Sequence, residues 1–161
     1  MWQRYDRHNF LIHDYFIARS LDLVRPGGVV AVITSSGTMD KQNDSARRYL
    51  AERADLLGAV RLPNTAFAGD ANTQAVTDIL FLQKRDSRAV TIPEWVSVET
   101  NGDGVTMNRY FLSHPEMILG TPVLRRGRYG MEMTVEPDNE SFPHLRICRA
   151  NGKKREYHCA S

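Results

Sequence analysis

Apolar positions recur at helical spacing near the start of the chain. Phe10, Ile17, Leu21 and Val24 follow one another at offsets of seven, four and three, and Leu11, Ile12, Tyr15 and Phe16 widen the same face. The pattern predicts a helix with Asn9 as its N-cap, stopped by Pro26-Gly27-Gly28. The spacing then changes. Val29-Val30-Ala31-Val32-Ile33-Thr34 is a continuous β-branched run without alternation, the mark of a strand covered on both faces in a parallel sheet. A second helix is predicted over 44–54, with Asp44 as cap and Ala46, Leu50 and Ala54 on one side. Leu57–Leu62 reads as the next strand, stopped by Pro63, and Val76–Gln83 as another. Beyond Lys84 the pattern weakens. Trp95–Val98 and Val105–Met107 flank Asn101-Gly102-Asp103-Gly104 as a hairpin, Asn108–Leu112 fits a short helix, and Tyr129–Val135 fits one more strand.

Helix, strand, helix, strand is half of a doubly wound α/β sheet. Such sheets bind ligands outside the carboxyl ends of their strands. Ser35-Ser36-Gly37 and Pro63-Asn64-Thr65-Ala66-Phe67 occupy that position. The expected organisation is a partial sheet domain over 1–86, an irregular α+β extension over 87–135, and a basic, disordered tail over 136–161.

Composition changes this picture little. A chain of 161 residues that is 42% hydrophobic and 25% charged is an ordinary globular protein. A net charge of +2 excludes a histone-like polycation. The distribution is more informative than the total. Residues 1–120 carry 13 basic and 14 acidic side chains, whereas 121–161 carry 8 and 5. Arg125, Arg126, Arg128, Arg146, Arg149, Lys153, Lys154 and Arg155 make a C-terminal basic excess, either a solvated tail or a contact for nucleic-acid phosphates. Cys148 and Cys159, with His144 and His158 nearby, match no zinc spacing, and two cysteines make no disulfide scaffold. No apolar run is long enough to cross a membrane and Met1–Asp6 is no signal peptide, so a cytoplasmic location is expected.

No self-contained catalytic set is present: no Gly-x-Ser-x-Gly, no His-Glu-x-x-His, and no phosphate loop ending in Lys-Ser/Thr. A family resemblance emerges instead. Leu23–Thr34 looks like the helix end, turn and fifth strand of S-adenosylmethionine-dependent methyltransferases. Leu57–Pro63, Phe67 and Thr77–Lys84 resemble adenine-specific DNA methyltransferases of the N-6 DNA methylase type, including the modification subunits of restriction systems. Residues 4–84 are most similar to the methylase part of large helicase–methylase proteins of bacterial mobile elements. Asn108–Met117 resembles the same subgroup.

The resemblance implies the downstream half of a Rossmann-like methyltransferase sheet. It further implies methyl transfer from S-adenosylmethionine to the exocyclic amino group of an adenine flipped out of DNA. In that setting Phe67 would stack on the flipped base, while Ser35, Ser36 and Asn64 would contact base or backbone. Equally, Phe67 would serve as a cap on the sheet core, and the two serines and Asn64 as ordinary turn residues. The family's aromatic-x-Gly-x-Gly cofactor loop and its Asn/Asp-Pro-Pro-aromatic catalytic motif are both missing, and the chain has no Pro-Pro at all. The chain is therefore expected to hold no cofactor and to be inactive alone, and to be completed by an upstream methyltransferase half or a helicase domain. The alternative is a non-catalytic DNA-binding or accessory module of a restriction-modification or helicase–methylase system.

Overall fold

The structure is a computed structural model that describes residues 10–67, 75–100, 105–127 and 130–138. Helix α1 (Ile12–Leu23) buries Ile17, Ala18 and Leu21, the stripe that the apolar spacing predicts. Its first turn is tied by Asp14, which accepts from Leu11 N at 3.3 Å and from Lys41 Nζ at 2.7 Å. The expected cap, Asn9, lies outside the described residues. The chain reverses at Pro26-Gly27, where Gly27 has a φ of +71° and donates its amide to Lys84 O at 2.8 Å. A side chain would be strained at that φ.

Strand β1 (Val29–Ser35) leads into a one-turn helix α2 (Gly37–Asp40), then α3 (Ser45–Ala51) and strand β2 (Ala54–Leu62). Turns cover 64–67, and strand β3 (Thr77–Lys84) returns between the other two, giving the order β1-β3-β2. Both pairings are antiparallel. A bulge between Leu56 and Gly58 leaves Leu57 without a partner on β3.

The expectation of a parallel, doubly wound sheet covered on both faces does not hold for the described residues. What they form is a mixed α/β structure whose named sheets are antiparallel. The reason lies in β3. It runs against both neighbours, so β1 and β2 point the same way without touching. Helices α1, α2 and α3 supply buried residues to a single core, against Leu80, Leu82 and Ala59 on one face of the sheet. The other face carries Val29, Ile33 and Phe81, which are exposed.

Past β3, a 3-10 turn (Glu94–Val96) buries Trp95 and Val96. The predicted hairpin forms as β4 (Val98–Thr100) and β5 (Thr106–Asn108), with its tip outside the described residues. Helix α4 (Arg109–Ser113) follows, capped by Asn108 Oδ1, which accepts from Tyr110 N at 3.0 Å. A 3-10 turn (Pro115–Met117) leads to a second hairpin, β6 (Thr121–Gly127) and β7 (Gly130–Glu136). Trp95, Val96 and Phe111 belong to the same apolar cluster as α1, α3 and the sheet, so the extension shares the sheet's core. Residues 139–161, which hold most of the basic excess and both cysteines, lie outside the described residues.

Candidate functional site

The carboxyl ends of β1 and β2 do lie at one end of the sheet. The register sets Ser35 and Leu62 on either side of Thr77. Ser35 closes β1 and is exposed. Ser36 donates its amide to Val76 O at 3.1 Å, and its carbonyl accepts from Met39 N and Asp40 N at 3.0 and 2.9 Å, which opens α2. Asn64 is only 6% exposed. Its amide donates to Val135 O at 2.8 Å and its Nδ2 to Thr134 Oγ1 at 3.0 Å, so β7 holds it from behind. Asn64 Oδ1, by contrast, is buried with no hydrogen-bond partner, and so is Thr77 Oγ1. Phe67 ends the turn that starts at Asn64 and is half-buried. All four residues named from the sequence thus sit on this rim, and only Asn64 is anchored through its side chain.

Directly under the rim lies a charge cluster that sequence patterning misses. Arg61 is fully buried. Its Nε and Nη2 donate to the two oxygens of Asp78 at 2.8 and 2.9 Å, and its Nη1 lies 2.7 Å from Asp40 Oδ2. The guanidinium carbon stands 4.2 Å from the centre of the Phe111 ring. Asp40 Oδ1 accepts from Asn108 N at 2.9 Å, and Asn108 Nδ2 donates to Met39 O and Trp95 O, both at 2.8 Å. Burial works against the Arg61 charge, but the Asp78 carboxylate more than offsets it and holds the guanidinium above its ordinary range. Burial pushes Asp78 up, against the pull of Arg61. A second buried arginine, Arg47, is shifted down by burial and binds three carbonyls: Val96 O at 2.7 Å, Lys41 O at 2.8 Å and Thr38 O at 3.2 Å.

These groups are spent on one another. Two carboxylates and an arginine locked this way position the rim and offer no free base or nucleophile. The available signal was the pair of opposite charges inside apolar strands, Arg61 after Val60 and Asp78 before Ile79. What could not be read is that they face each other across β2 and β3.

The cavities near Arg53, Lys84 and Arg85 lie at the other end of the sheet and have mixed charge. There Lys84 Nζ is already bound to Val24 O at 2.7 Å and Arg85 to Asp55, so the rim remains the better candidate. Among the described residues no group of three or more His, Cys, Asp or Glu side chains could hold a metal ion. Nor is any helix among them long and apolar enough to cross a membrane.

Comparison with known proteins gives a narrow result. No family model matches the sequence, and no solved structure matches it. The chain is 39% identical over 72 residues to Defense against restriction protein B of Escherichia phage P1. The link is to restriction, not to methyl transfer. The match spans 44% of this chain and 3% of the phage protein. This corrects the resemblance to adenine-specific DNA methyltransferases: no methyltransferase family is matched, and the similarity that is found carries a restriction-defence name.

Proposed function

We propose that this chain is a non-catalytic, DNA-contacting module of a restriction-related protein, and that it meets DNA at the rim formed by Ser35, Ser36, Asn64 and Phe67. One observation carries the reading: Asn64 Oδ1 and Thr77 Oγ1 are both buried at that rim without a hydrogen-bond partner. An unsatisfied buried polar group costs about 1–3 kcal/mol, which a ligand supplying the missing partner returns. The exocyclic amino group of an unpaired base is such a donor for Asn64 Oδ1. The Ser35 hydroxyl adds a further donor and acceptor, and the ring of Phe67 offers a stacking surface that tolerates any base. The restriction-defence name of the phage relative supports a setting in which DNA is the shared substrate. The chain's lack of catalytic motifs supports contact rather than chemistry.

Fluorescence anisotropy with a labelled single-stranded oligonucleotide tests this. Binding is expected to weaken with salt, as phosphate contacts require. Phe67→Ala should weaken it by about 1–3 kcal/mol, roughly five- to 150-fold, without lowering the melting temperature. Unchanged affinity in Phe67→Ala, or no binding to any oligonucleotide, removes the rim as a DNA contact.

A further inference from the structure

The odd-numbered residues of β1 hold two unused surfaces at once. Lys84 N donates to Gly28 O at 2.8 Å and Ser36 N to Val76 O at 3.1 Å, at the two ends of the β1–β3 ladder. Antiparallel pairs alternate between bonded and non-bonded, so Val30, Val32 and Thr34 exchange bonds with β3. Val29, Ala31, Ile33 and Ser35 therefore turn their amides and carbonyls away from β3, toward the outer edge. Side chains of the same four residues lie on the face that no helix covers, with Val29 50% and Ile33 58% exposed. Phe81 extends that patch across β3. Natural edge strands are blunted by charge, proline or a bulge. β1 has none of these.

We propose that this edge and face receive a β-strand followed by an amphipathic helix from another stretch of polypeptide. The strand would pair along Val29–Ser35, and the apolar side of the helix would lie over Ile33 and Phe81. A second copy of this chain fits less well. Two β1 edges paired antiparallel about a twofold axis keep the same faces on the same side, so the bare apolar patch would double rather than vanish. Stacking two bare faces would cover the patch and leave both edges open. Only an added strand-and-helix unit satisfies edge and face together. The matched stretch is 3% of the phage relative, so in that protein ample polypeptide surrounds the equivalent segment to supply such a unit.

The probe is a labelled synthetic peptide: a Val/Ile/Thr strand, a Gly-containing turn, and a Leu/Ala helix with Lys and Glu on its outer side. Saturable micromolar binding to the full chain is expected. Ala31→Pro removes an amide that β3 does not use, and Ile33→Lys charges the patch; each should weaken binding more than about tenfold while the melting temperature stays unchanged. In hydrogen exchange of the chain alone, the amides of Ala31 and Ile33 should exchange quickly and those of Val30 and Val32 slowly. The proposal is overturned by absence of peptide binding, by binding that both variants leave unchanged, or by slow exchange at Ala31 and Ile33. It is equally overturned by a dimer in sedimentation that Ala31→Pro dissolves and the peptide does not displace.

Discussion

The two outer strands of the sheet are built of similar residues and treated in opposite ways. β2 is closed off: Leu119 N donates to Arg61 O at 2.9 Å, Ile118 bridges to Arg61, and the Tyr110 hydroxyl accepts from Ala59 N at 3.1 Å. β1 has a free edge and a bare face among the described residues. The difference comes from what lies after β3 in sequence. Everything from Trp95 to Val135 folds back onto the β2 side, guided by Arg61, Asn64 and Asn108, while only α1 and the loop after it reach the β1 side. Polar residues placed in an apolar strand recruit later segments. A purely apolar strand recruits nothing specific and stays available.

The comparison breaks most visibly at Arg61. Arg61→Leu strands Asp78 in the core without its partner and should destabilise the fold by about 3–5 kcal/mol in urea unfolding. The double variant Arg61→Leu/Asp78→Leu should recover much of that loss, because no lone charge remains buried. Similar stability for the single and double variants would mean that the pair does not hold the β2 side.

Gly120 is the next point of leverage. Its φ is +135°, and a Cβ there would meet Glu136 O at 2.3 Å. Gly120→Ala should cost about 1–3 kcal/mol and loosen the Ile118–Leu119 cover, read as faster amide exchange at Leu119. On the β1 side the same kind of substitution should do almost nothing. Ile33→Lys is expected to change stability by no more than about 0.5 kcal/mol while raising solubility, measured by unfolding and by light scattering. A large loss in Ile33→Lys would show that the bare face is packed.

Much of the local structure was legible and its assembly was not. The apolar spacing of α1, the Pro26-Gly27 turn, the Asp44-led α3 and the hairpin around Asn101–Gly104 all follow from near-neighbour chemistry, and the helices and strands fall close to where it puts them. The covering of Val29–Thr34 does not. An unbroken apolar strand states that both its faces avoid water, and cannot say whether this chain or another supplies the cover. The insertion of β3 between β1 and β2 depends on a long connection, which no local pattern encodes. At the candidate site, the rim residues were readable because strand ends and turns are local features. Arg61, Asp78, Asp40 and Asn108 were not, because their partners lie 17 or more positions away.

The bulge in β2 fixes a matter of counting. Ala54 and Leu56 face the core before it, and Ala59 and Arg61 face the core after it, because Leu57 is the one residue opposite nothing. Removing Leu57 would restore a regular ladder and keep every other side chain of the strand on its present side. Removing Val60 would instead turn Arg61 outward and bring hydrophobic side chains to face Asp78. Chains one residue shorter here are compatible with the same core only when the missing residue is the spare one, which gives alignments of this strand a defined place for their gap.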